Sequence, residues 1–142
     1  MPVPTAIESP RIFPAFRYRN AAKMIEWLVE AFGFTVHVAY TDDDGVVQHA
    51  ELALGSSMIM LGDPKSDEYG RMVGSPGEAG GKSTYVAVDD VDAIYASAKA
   101  CGAKIEQEPT DRTYGSREFI CRDPEGNVWS FGSYWPRAFE QA

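Results

Sequence analysis

Two residues of this 142-residue chain combine type and spacing suited to proton chemistry. His49 and Glu51 sit two positions apart in VVQHAELAL, a run that alternates as a strand does, so their side chains share one face. An imidazole titrates near neutrality, and a neighbouring carboxylate can orient it. Three readings stay open: an ordinary polar strand face, a dyad that binds ligand or shuttles a proton, or part of a displaced metal site. Ala50, Leu52 and Leu54 take the opposite face, which should pack on a helix.

The elements that must position this pair come in a repeated order. Arg11–Tyr18 reads as a strand, with Pro14 marking an edge or a bulge. Asn20 suits a helix N-cap, and Met24, Ile25, Leu28, Val29 and Phe32 follow at helical spacing up to Gly33. Strands are expected over Phe34–Tyr40, Val46–Leu54 and Ser57–Leu61, with Asp44-Gly45 as a hairpin turn. Residues 63–82 are rich in Gly, Pro and charge and read as a linker or flap.

The order then begins again. Ser83–Val88 is a strand, Asp89 or Asp90 caps a helix, and Val91, Ile94, Tyr95 and Ala98 form its apolar face up to Gly102. Ala103–Gln107 is a strand, and 108–115 a loop. Ser116–Arg122 and Val128–Ser133 flank a turn built by Asp123, Pro124, Gly126 and Asn127. Gly33 and Gly102 stand 69 positions apart. The predicted fold is α+β: two βαβββ modules forming a cup-shaped, mostly antiparallel sheet, with the helix-free faces around a cavity. The predicted organisation is a tail (1–10), a first module (11–63), a linker (64–82), a second module (83–136) and a tail (137–142).

Bulk properties narrow the partners. A net charge of −8 argues against nucleic acid, whose backbone needs a basic surface, and is compatible with a cationic or neutral small ligand. No apolar run approaches the length that spans a bilayer, so no membrane partner is expected. Residues 1–10 have neither the basic start nor the apolar run of an export signal, and Cys101 and Cys121 form no metal motif. Reduced core cysteines and a cytoplasmic location are therefore expected.

Four segments carry a resemblance: FPAFRYRNAAKMIEWLVEAFGF (13–34), QHAELALGSSMIMLGD (48–63), YVAVDDVDAIYASAKACGAKI (85–105) and YGSREFICRDPEGNVWSFGSY (114–134). Together they resemble the glyoxalase/bleomycin-resistance/dioxygenase, or vicinal oxygen chelate, superfamily. The resemblance implies paired βαβββ modules, a site between them and a homodimer, but not one chemistry. Metal enzymes of the family take four ligands, two per module, and the matching positions here are Phe13, Met60, Ser83 and Ser130. None is a good donor to a hard divalent ion, so no metal and no cofactor are expected.

Alternation extends the predicted lining. Phe13 brings Arg17 to its face, Met60 brings Met58, and Ser83 brings Tyr85, whereas Ser130 turns Trp129 and Phe131 toward the helix layer. Tyr114 and Arg117 flank Gly115, either at the cavity mouth or in a surface loop. The expected function is metal-independent binding of a small molecule, with sequestration of a cationic antibiotic as one form. The alternative is a lyase or isomerase acting on a small carbonyl compound, with His49 and Glu51 as acid and base.

Overall fold

The computed structural model describes residues 10–77 and 80–136. The expected tails, apart from Pro10, lie outside the described residues. Two four-stranded sheets form, each with one long helix on a face. The first has the order β1 (Ala15–Arg17), β4 (Ser57–Gly62), β3 (Val47–Leu54), β2 (Thr35–Thr41). The second has the order β5 (Thr84–Ala87), β8 (Val128–Gly132), β7 (Arg117–Arg122), β6 (Lys104–Asp111). In each sheet only the edge strand that begins its half, β1 or β5, pairs in parallel.

Helix α1 (Ala21–Phe32) starts where the Asn20 side chain accepts from the Lys23 N–H. Met24, Leu28, Ala31 and Phe32 are its buried stripe. It ends because Gly33 adopts φ 82°, letting the Phe34 N–H reach back to the Leu28 carbonyl. Helix α3 (Val91–Ala100) is capped by Asp90, which accepts from the Ala93 N–H.

Hydrogen bonds repeat with a period of seventy. The Tyr18 N–H donates to the Gly62 carbonyl, and the Val88 N–H donates to the Gly132 carbonyl. The Gly45 N–H closes a turn on Asp42, and the Gly115 N–H closes one on Arg112. The glycines that follow the two helices stand 69 apart, because α3 is the shorter helix.

Three elements differ from expectation. Strand β1 begins only at Ala15, since Pro14 has no N–H, although its carbonyl still accepts from the Met60 N–H. Strand β6 runs to Asp111, through part of the expected 108–115 loop. Pro109 is accommodated because β6 is an edge strand whose register shifts between Gln107 and Thr110. Within 64–82 a short helix forms, α2 (Glu68–Val73), capped by the Asp67 carboxylate at 2.8 Å from the Gly70 N–H.

The core joins both halves through aromatic rings. Phe16 stacks on Trp129 at 5.4 Å, and Phe32 meets Trp129 at 5.0 Å and Phe131 at 4.8 Å. Trp129 is fully buried, as its position on the helix-facing side of β8 predicts. Cys101 and Cys121 are free thiols, and burial pushes that of Cys121 up to about 12.

Candidate ligand-binding cleft

Register fixes which side chains share the helix-free faces. Ala15, Met60 and Glu51 are successive partners across β1, β4 and β3. Tyr85, Ser130 and Ile120 are successive partners across β5, β8 and β7. Met60 and Ser130 therefore occupy equivalent places in the two sheets, seventy positions apart. On β4, Ile59 and Leu61 are buried while Met58 and Met60 face the other way, half-buried.

A cleft of about 920 Å³ runs along the two edge strands β1 and β5. Arg17, His49, Met60, Ser83 and Tyr85, all singled out in the sequence, line it. Its other wall comes from the stretch expected as a linker or flap: Tyr69, Met72 and Val73 of α2, then residues 74–77, Gly80 and Lys82. The i, i+3, i+4 spacing of Tyr69, Met72 and Val73 is the signal that marks this wall. No residue of α2 is buried, and Met72 is 74% exposed.

Polar side chains are interspersed with the apolar ones, among them Arg17, Gln48, His49, Lys82 and Asn127. His49 Nε2 lies 2.8 Å from Glu51 Oε2, and the ring stacks with Tyr40. Glu51 is not itself among the lining residues. The guanidinium of Arg17 donates to the Asp63 carbonyl at 2.8 Å and sits 4.9 Å over the ring of Tyr69. The Tyr85 hydroxyl donates to the Tyr134 carbonyl at 2.6 Å, and partial burial raises its pKa.

Phe13, Met58, Tyr114, Arg117 and Ser130 are not among the residues lining this cleft. Phe13 precedes β1 and is exposed. Arg117 pairs with Asp92 and Asp111, each at 3.0 Å, and its hydrogen bonds to those two carboxylates raise its pKa. The Tyr114 hydroxyl donates to Glu118 at 2.7 Å. Glu118 feels desolvation, which opposes ionisation, but hydrogen bonds from Tyr114, Ser116 and Arg112 outweigh it and lower the pKa. His37 is exposed on β2.

Residues 13–131 match the model of the Glyoxalase/Bleomycin resistance protein/Dioxygenase superfamily. The chain belongs to this family. An uncharacterized protein of Mycobacterium bovis, Mb0911c, is 30% identical over 125 residues, 87% of this chain and 82% of that protein. TioX from Micromonospora sp. ML1 superposes with a TM-score of 0.66 at 29% identity, over 87% of this chain and 94% of TioX. TnmS3, described as an antibiotic binding protein from Streptomyces sp. CB03234, shares the fold at TM-score 0.65 and 20% identity, over 88% of this chain and 97% of that chain.

The glyoxalase fold raises the question of a metal. At the four positions where the resemblance expects ligands, Phe13 has no donor atom and Met60 offers only a soft thioether. Ser83 and Ser130 offer neutral hydroxyls. These residues do not fit a divalent ion. Among the described residues, no group of three or more His, Cys, Asp or Glu is placed to hold one. No described helix is long and apolar enough to cross a membrane.

Proposed function

We propose that this glyoxalase-family chain is a metal-independent small-molecule binding protein that sequesters an antibiotic-like ligand in the cleft between β1 and β5. The observation that carries the reading is the cleft itself. About 920 Å³ is walled by Met60, Tyr69, Met72 and Tyr85, with polar side chains such as Arg17, His49, Lys82 and Asn127 among them. That volume and make-up suit a drug-sized molecule, and methionine adapts to irregular ligands. The description of TnmS3 as an antibiotic binding protein supports the reading. Arg17, His49, Met60, Ser83 and Tyr85 are the proposed contacts. The proposed units are the halves 11–63 and 83–136, in a cytoplasmic homodimer whose second copy covers helix-free faces where Tyr40 and Tyr85 are exposed.

Titration calorimetry against a panel of neutral and anionic aromatic antibiotics tests the reading, alongside protection of a sensitive host by expression. Binding with protection is expected. Absence of both for every compound would sink it.

One observation favours a second reading, an isomerase or lyase acting on a small carbonyl compound. The His49–Glu51 contact of 2.8 Å has its imidazole in the cleft lining. There His49 would take the proton next to the carbonyl, and Glu51 would hold the ring. Turnover lost in His49→Ala with ligand affinity retained would favour it. Equal turnover in wild type and variant would remove it.

A further inference from the structure

The cleft differs in charge from the rest of the molecule. The chain carries a net charge of −8, yet among the described residues the cleft lining contains Arg17 and Lys82 and no Asp or Glu. A smaller pocket of about 290 Å³ adjoins it, sharing Arg17 and adding Lys65 and Arg71, again with no carboxylate among the described lining residues. Four cations thus gather around the segment Gly74–Pro76.

Arg17 has spare donor capacity. Elsewhere several arginines reach carboxylates, among them Arg112 on Glu118, Arg117 on Asp92 and Asp111, and Arg122 on Glu106. Among the described residues, Arg17 has no carboxylate partner. Its hydrogen bond among the described residues goes to the Asp63 main-chain carbonyl, and its guanidinium rests on the Tyr69 ring. A guanidinium has five N–H donors in a fixed fork, so a face suited to a bidentate oxyanion is left over. Glu51 bonds His49, not Arg17.

We propose that the ligand of this cleft is an amphipathic anion: an apolar or aromatic body between Met60, Tyr69, Met72 and Tyr85, with a carboxylate, sulfonate or phosphate on Arg17. This rests on the small-molecule binding reading and gives it a ligand class. A cationic ligand would meet Arg17 and Lys82, with no carboxylate among the described lining residues to receive it, so these two cations disfavour it as they attract an anion.

A matched pair of fluorescent probes tests the assignment: 1-anilinonaphthalene-8-sulfonate and its neutral counterpart N-phenyl-1-naphthylamine. Wild type is expected to bind the sulfonate on the order of tenfold more tightly. Arg17→Gln should erase that preference by weakening the sulfonate far more than the neutral probe, and Arg17→Lys should restore part of it. Added salt should weaken only the sulfonate. Lys99→Gln, on α3, should change nothing. If the neutral probe binds equally well, or if Arg17→Gln leaves the ratio unchanged, the anion assignment is overturned and the binding reading stands. If neither probe binds, both are overturned.

Discussion

The hydroxyl of Tyr18, just past β1, donates a 2.8 Å hydrogen bond to the carboxylate of Asp123, 105 residues further along the chain. The same carboxylate accepts from Trp129 Nε1 at 3.0 Å and from the N–H groups of Glu125 and Asn127. Asp123 thus closes the β7–β8 turn and ties it to the first half, beside the aromatic stack that floors the molecule. Asp123→Ala leaves several buried donors without a partner and is expected to cost about 3–5 kcal/mol in urea denaturation. Tyr18→Phe removes one donor and should cost about 1 kcal/mol. Equal small losses in both variants would mean that Asp123 is not the tie between the halves.

Burial gives stability a defined alkaline limit. Desolvation, followed by the charge of Asp123, raises the pKa of Tyr18, and burial lifts Cys121 to about 12. Both groups are neutral when protonated, and the folded state holds the proton more tightly. Their contribution is complete below the unfolded pKa values, about 8.5 for Cys and 10 for Tyr, and falls as pH rises above them. Denaturation midpoints measured from pH 8 to 11 should therefore decline. Tyr18→Phe should flatten the decline above pH 10; an unchanged slope would contradict the assignment. Cys121 should also resist a thiol reagent at pH 8 until the protein is unfolded.

The α2 wall depends on one glycine. A Cβ at Gly70 would run into the Lys65 main-chain carbonyl, so Gly70→Ala must displace the helix or its entry loop. No residue of α2 is buried. Global stability should therefore change by less than about 1 kcal/mol, while probe affinity in the cleft falls severalfold. Unaltered affinity would show that Tyr69 and Met72 do not wall the occupied site.

Arg117 offers a control of the opposite kind. It is held by Asp92 and Asp111 and is absent from the cleft lining. Arg117→Ala should leave affinity for either naphthyl probe within about twofold, since exposed ion pairs contribute little. A larger loss would return Arg117 to the site.

Much of this is legible in the residues because local chemistry dictates it. Asn20 and Asp90 cap helices, Gly33 permits the left-handed exit, and Asp123 builds its turn. The alternation of Met58, Ile59, Met60 and Leu61 also predicts which pair is buried. The missing parts depend on contacts distant in sequence. The six residues of α2 give one turn of helical spacing, too short beside a glycine to announce a helix, and Arg17 on β1, which sits over the Tyr69 ring, lies 52 positions earlier (69 − 17). The continuation of β6 through Pro109 relies on an edge position that only the strand order reveals. Net charge, an average over the surface, gives no view of four cations gathered around Gly74–Pro76.

Amide chemical-shift mapping of the ¹⁵N-labelled full chain titrated with 1-anilinonaphthalene-8-sulfonate addresses the cleft itself. Saturable shifts are expected to cluster at Phe16, Arg17, Leu61, Tyr69 and Tyr85, with the exposed side of α1 silent. Shifts that never saturate, or that gather on the α1–α3 side instead, would contradict a ligand site between β1 and β5.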